Sequence, residues 1–292
     1  MSAADDVRAW TARGDHLDVD GRSVWVLDEP ARADHGLDPI LVLHGFPSCS
    51  FDWRHVLDAF AADRRVVCVD FVGFGLSAKP DVRYSMRLQA DVVEGVARQL
   101  GLASVAMITH DMGDTVGGEL LARSLEGTLP FAVTRRVLTN GSIYINLAHL
   151  TTGQELLLSL ADAPTDLVQR DAFKAGLAGT FSPKSEVDDD ELEAQWLFAS
   201  HNDGHRLLPR TIRYIEDRRA EERRFTGAIE THPSPLAVVW GEDDPIAVVE
   251  MTDVLQRARP DAAVTILDGV GHYPMIESPT RFTEAVLGSW GH

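Results

Sequence analysis

The segment Thr109-His110-Asp111-Met112-Gly113 joins an apolar stretch, Val105–Thr109, directly to a run of helical spacing. A strand that turns into a helix at a single side chain is a nucleophile elbow, where a tight, strained turn lifts that side chain clear of the sheet edge. The usual pattern is G-x-S-x-G; here Thr109 stands at the first glycine, Asp111 at the serine, and Gly113 remains. Alone, Asp111 reads equally well as the N-cap of the helix. Three further features turn the reading toward chemistry. His44-Gly45-Phe46-Pro47 follows another apolar run, and the N–H groups of Phe46 and Met112 would form an oxyanion hole. Trp240-Gly241-Glu242-Asp243-Asp244-Pro245 supplies an acid, and Gly269-Val270-Gly271-His272-Tyr273 supplies a histidine. Nucleophile, acid, histidine is the chain order such an elbow requires.

The elements that must position these residues alternate. Asp20-Gly21 between two short β-type runs signals a hairpin. Ile40–Leu43, Val66–Val69, Val105–Thr109 and Arg136–Thr139 read as buried parallel strands, with helices at 53–62, 86–100 and from Met112 to about Arg123. Residues 142–231 contain no clear strand and hold helical runs, with an acidic stretch at 186–193 that reads as a solvated helix start or loop. Alternation resumes at Leu236–Trp240 and continues through a helix at 246–258, strand Val264–Leu267 and a terminal helix. The expected architecture is one α/β domain at 1–141 and 232–292, a mostly parallel twisted sheet with helices on both faces, interrupted by a helical insertion at 142–231.

Composition sets the boundaries of function. The 292 residues are 45% apolar and 25% charged, ordinary for a globular chain. Arginine and lysine total 27 against 45 acids, so the net charge is −18, which argues against nucleic acid and anionic membrane surfaces as partners. No apolar run approaches the roughly 18 residues of a membrane span, and the acidic N-terminus is unlike a signal peptide, so a cytoplasmic location is expected. Cys49 and Cys68 read as buried free thiols. No third ligand joins His201 and His205, so no metal is assigned.

These motifs resemble the α/β-hydrolase superfamily over nearly the whole chain, in the branch holding epoxide hydrolases and haloalkane dehalogenases. His44-Gly45-Phe46-Pro47 matches the H-G-x-P motif of epoxide hydrolases, and His110-Asp111-x-Gly113 their aspartate elbow. Asp70-Phe71-Val72-Gly73-Phe74-Gly75, His110-Asp111-Met112-Gly113-Asp114 and Asn202-Asp203-Gly204 are similar to the mesoderm-specific transcript proteins and their bacterial relatives. The resemblance implies an α/β-hydrolase core with a cap over Asp111, and its G-x-x-D pattern selects Asp244 over Asp243.

An aspartate at the elbow attacks an sp3 carbon and forms an alkyl-enzyme ester, which His272 and water then hydrolyse without a cofactor. The leaving group decides the substrate. An epoxide oxygen needs a proton, which a tyrosine can give; a halide needs only N–H donors. Tyr214 resembles the cap tyrosine of epoxide hydrolases, with an ordinary amphipathic-helix tyrosine as the alternative; Tyr144, just past a strand, is a second candidate, with core packing as its alternative. Met112 and Phe46 cannot serve as the halide donors that dehalogenases carry at those positions. His44, Pro47 and Trp196 complete the expected substrate surroundings, although loop orientation suits His44, and His110, at least as well. The expected function is epoxide hydrolysis to vicinal diols, with a small apolar epoxide-type substrate and water as partners; a haloalkane dehalogenase and a non-catalytic ligand-binding homologue are the alternatives. A homodimer is compatible with the sequence.

Overall fold

The computed structural model describes residues 2–33 and 35–291. Eight strands form one sheet: β1 Asp15–Val19, β2 Arg22–Glu29, β3 Ile40–Leu43, β4 Val66–Val69, β5 Ser104–His110, β6 Ala132–Thr139, β7 Leu236–Gly241 and β8 Ala263–Leu267. Their order is β1-β2-β4-β3-β5-β6-β7-β8. The β1–β2 and β2–β4 pairs are antiparallel; every pairing from β4 through β8 is parallel. Asp20 and Gly21 both take positive φ, which closes the β1–β2 hairpin with the twist the strands require.

The helices are α1 Ala3–Thr11, α2 Arg54–Phe60, α3 Met86–Gln99, α4 Met112–Leu125, α5 Thr152–Ser159, α6 Arg170–Ala178, α7 Asp189–Ser200, α8 Leu208–Thr211, α9 Tyr214–Thr231, α10 Glu250–Ala258, α11 Pro274–Glu277 and α12 Pro279–Ser289. Helices cover both sheet faces, which is why β3 and β4 are buried at every position and read as unbroken apolar runs. Each fully buried Val, Leu or Ile there contributes about 1.5–3 kcal/mol. Cys49 and Cys68 are free and buried in the same core.

Three elements differ from the sequence-based expectation; β6 begins at Ala132 rather than Arg136, and two helices differ as well. Helix α1 was not expected; Ser2 and Asp5 cap it reciprocally, and Trp10 carries it onto Trp25 and Phe51, at ring distances of 5.8 and 5.9 Å. Helix α10 begins at Glu250, four residues later than expected, because the backbone of Ile246 and Ala247 is committed to Asp244. The acidic stretch becomes the start of α7: Asp188 caps it and Asp189, Asp190 and Glu191 fill its first turn, where the helix dipole favours negative charge.

Residues 142–231 hold α5 to α9 between β6 and β7. Helix α9 does two jobs, with non-helical backbone at Glu221 between them. Its first turns carry Tyr214 and Arg218. Its second half lies on α4 so closely that a Cβ on Gly118 would stand 2.8 Å from the Phe225 carbonyl oxygen. That half therefore belongs to the helical layer of the sheet, as a parallel crossover from β6 to β7 requires.

Candidate active site

Asp111 ends β5 and precedes α4 with φ 49° and ψ −112°, a conformation costly for any residue with a Cβ. Its side chain makes no capping bond to α4, so the N-cap reading does not describe it. Instead its Oδ2 accepts the Phe46 N–H at 2.8 Å. Met112 opens the first turn of α4, where N–H groups have no intrahelical acceptor. The elbow is held from below. Thr109, at the first glycine of the usual pattern, hydrogen-bonds through its hydroxyl to Asp114. Burial, and then the Asp111 charge, push the Asp114 carboxyl well above the ordinary range.

The acid follows β7 and the histidine follows β8. Asp244 Oδ2 accepts from His272 Nδ1 at 2.7 Å. The same oxygen accepts from Asn140 at 2.7 Å, and Oδ1 accepts the N–H groups of Ile246 and Ala247 at 2.7 and 3.0 Å. With four donors converging on it, the carboxylate has one orientation and leaves His272 Nε2 free to face the substrate cavity. Burial disfavours charge on His272, but Asp244 and, beyond it, Asp111 prevail and push its pKa up to about 9. Glu277 fixes the histidine loop by accepting the N–H groups of Gly271 and Tyr273 at 2.9 and 3.0 Å. Asp243 turns outward to Ser182 and Lys184.

Tyr214 is fully buried, with its ring 5.8 Å from that of Phe46, close enough to Asp111 to feel its charge. Burial, then the Asp111 charge, raise its pKa, so the phenol keeps its proton. A cavity of about 180 Å³ lies between cap and core, floored by Phe46, Pro47, His272 and Tyr273 and walled by apolar residues such as Leu157, Phe173, Leu177 and Leu208. Asp111 lies behind that floor, 2% exposed.

Three expected residues stand elsewhere. Tyr144 donates its hydroxyl to Glu230 at 2.8 Å and does not border the cavity. It cannot serve a leaving group at Asp111 from there, because α9 turns it toward its own later turns. His44 is fully buried: its Nδ1 bonds the Gly45 carbonyl at 2.8 Å and its Nε2 accepts the Phe71 N–H at 3.0 Å. With both nitrogens taken by backbone it orients loops and contacts no substrate. His110 acts likewise on the His272 carbonyl, at 2.7 Å. Trp196 packs on Phe173 and His205 within the cap and lies outside the cavity lining, so it offers no halide donor.

Sequence reasoning did not find Asn140, Glu277 or Arg218. Asn140 had a signal, a polar residue with turn propensity directly at the end of a buried strand; its φ is 48°. Arg218 lies one turn after Tyr214 on α9 and is 4% exposed. That i, i+4 spacing was its only trace in the sequence.

A strained aspartate elbow, an oxyanion donor and a buried Asp–His pair on this sheet define a class of hydrolase architecture. Residues 40–285 match the alpha/beta hydrolase family, and the chain belongs to it. Among relatives, the putative hydrolase LipZ of Mycobacterium tuberculosis is 40% identical over 283 residues, spanning 96% of each chain. The mesoderm-specific transcript homolog protein of Bos taurus is 33% identical over 261 residues, 85% of this chain and 77% of that one. Among solved structures, an epoxide hydrolase of Bacillus megaterium superposes with a TM-score of 0.70 at 20% identity, covering 95% of this chain and all of the other. At that identity the likeness shows the fold. Among the described residues no helix is long and apolar enough to cross a membrane.

Proposed function

We propose that this hydrolase opens epoxides to vicinal diols through a covalent ester on Asp111. The observation that carries the reading is the buried Tyr214 phenol, its ring 5.8 Å from that of Phe46, whose N–H holds the Asp111 carboxylate; an acid lies beside a nucleophile, and the Asp111 charge helps it keep its proton. Asp111 attacks an oxirane carbon, the C–O bond breaks, and the departing oxygen takes the Tyr214 proton. The product is a neutral alkyl ester. His272 was held protonated partly by the Asp111 charge; once that charge is gone its pKa falls, its proton passes to the Tyr214 phenolate, and the neutral imidazole becomes available as a base. It takes a proton from water, and the hydroxide adds to the ester carbonyl carbon. The oxyanion forms where the Phe46 N–H already donates, with Met112 N–H as second donor, each contributing about 3 kcal/mol. Collapse breaks the acyl C–O bond. The diol oxygen takes the proton from His272, and the neutral imidazole then accepts the proton of the new Asp111 carboxylic acid, which restores carboxylate, imidazolium and phenol.

Intact-mass measurement on His272→Gln tests this, because that variant should form the ester and fail to hydrolyse it. Incubated with terminal epoxides, it should gain the mass of the whole epoxide at Asp111. Adding Tyr214→Phe should slow that labelling by about 10²–10⁴-fold while leaving alkylation by a bromoalkane nearly unchanged. Labelling only by bromoalkanes, with loss of bromide, would replace the epoxide reading with dehalogenation.

A further inference from the structure

Arg218 is a buried cation without an ionic partner. Its Nε donates to Thr115 Oγ1 at 2.8 Å, its Nη2 reaches the Asp111 carbonyl at 3.5 Å, and its guanidinium lies 4.9 Å over the Tyr214 ring. Among the described residues no carboxylate forms an ion pair with it, and its Nη1 has no protein partner. The side chain borders a second cavity of about 30 Å³. The other polar groups there also donate. The Ser142 hydroxyl, 3% exposed, has no protein partner. Gln154 gives its oxygen to the Thr151 N–H at 2.9 Å and so presents its NH2 group. Arg219 stands at the rim, and no acid lines the cavity; Glu222, on the next turn, turns to the Ile145 N–H at 3.0 Å. Gln154 and Ile246 border both this cavity and the apolar one, so the two are neighbours.

The volume selects the anion. About 30 Å³ holds roughly two water-sized groups, the two oxygens of a carboxylate but not the three free oxygens of a phosphate. The charge balance selects it again. While Asp111 is ionised, its charge offsets that of Arg218 nearby. Ester formation, once the His272 proton has passed to Tyr214, removes the negative charge and leaves a desolvated guanidinium uncompensated, a costly state unless the substrate brings an anion of its own.

We propose that Arg218, Ser142 and Gln154 form an anion subsite, and that the substrate is a carboxylic acid with its acidic group close to the electrophilic carbon and its apolar remainder in the larger cavity. The reaction assigned to that substrate rests on the ester mechanism above; the binding claim does not. Calorimetry with unreactive octanoate and octanamide separates them, since neither needs turnover. The wild-type protein should bind octanoate at least about tenfold more tightly than octanamide, the value of a charge-assisted hydrogen bond. Arg218→Gln should abolish that preference with octanamide affinity unchanged, and Arg218→Lys should keep part of it. Asp111→Asn should bind octanoate more tightly and octanamide no differently, a comparison that needs no change at Arg218. Equal affinity for acid and amide in the wild-type protein, or a preference that survives Arg218→Gln, would overturn the subsite. So would displacement by bromide without any acid preference, which would make the cavity a halide site. An acid preference without ester formation in His272→Gln leaves the subsite standing and removes the mechanism; ester formation from neutral epoxides without the preference does the reverse.

Discussion

At the scale of single residues, the site is governed by which charges exist at each step. Asp111, Asp244 and His272 lie in a shared, nearly dry environment, so the charge of one sets the proton affinity of the next. His272 is the sensitive member. Burial works against its charged form, yet the carboxylates of Asp244 and Asp111 lift its pKa to about 9, above the ordinary 6.5. A folded-state pKa above the unfolded value means that the protonated histidine stabilises the fold. That contribution is complete below about pH 6.5 and is lost as pH rises through about 9. Asp111→Asn removes one of these supports, beside those of Asp244 and Glu277, as esterification does. The His272 imidazole of that variant, followed by nitrogen-15 NMR, should titrate below the wild-type value, and the alkaline loss of stability should begin at lower pH. An unchanged titration would mean that Asp244 and Glu277 set the histidine between them, and the charge-linked switch from acid to base would have to be given up.

At the scale of elements, four strand ends deliver the chemistry and close packing fixes their spacing. Gly113 shows how close: a Cβ there would stand 2.7 Å from both the Leu43 and the His44 carbonyl oxygens. Those atoms are backbone of β3 and the loop that carries Phe46, so neither can swing aside. Gly113→Ala should therefore destabilise the protein by about 1–3 kcal/mol in urea unfolding, the usual cost of overpacking. It should also slow labelling of Asp111, because relief comes only by moving the oxyanion loop away from the elbow. Full stability with full labelling would show that the β3 loop is softer than its contacts imply. This arrangement was legible in the sequence because each catalytic residue follows a buried strand whose apolar run is unmistakable, and strand ends on one sheet edge must meet. The cap was not legible in the same way. Its residues face the site through helix packing, so Tyr144 stood as a second candidate behind Tyr214 and Trp196 as a pocket residue, yet Tyr144 turns to Glu230 and Trp196 packs within the cap. Asn140 and Arg218 act on groups 104 and 107 residues away, and Glu277 on a loop six residues before it, and no local pattern records such a pairing.

At the scale of the whole molecule, a net charge of −18 surrounds a small cationic point. Most arginines meet acids at the surface or between cap and core, as Arg83 does with Asp217 and Arg224 with Glu119. Arg218 is a buried exception; Arg136 and Arg64 are also buried without an acid, but they give N–H groups to backbone carbonyls. Leu156 and Leu167, 60% and 69% exposed, mark the apolar mouth of the larger cavity, so no ring of basic residues there offsets the outer field. An acidic substrate must then approach against that field before it reaches the guanidinium that holds it. Salt should relieve the approach and hardly touch the buried contact, since the screening length is about 10 Å at 0.1 M and buried pairs are screened far less. For an epoxy acid, kcat/KM should therefore rise about twofold to tenfold between 20 and 200 mM salt, opposite in sign to enzymes that attract their substrates. The uncharged amide of the same epoxide should show no such rise. Sodium chloride and sodium gluconate should agree, because a trend seen with only one of them would report anion competition at Arg218 rather than the field. A fall in kcat/KM with both salts would mean that Arg218 and Arg219 dominate the potential along the entry path, and that the acidic surface has no part in selecting the substrate.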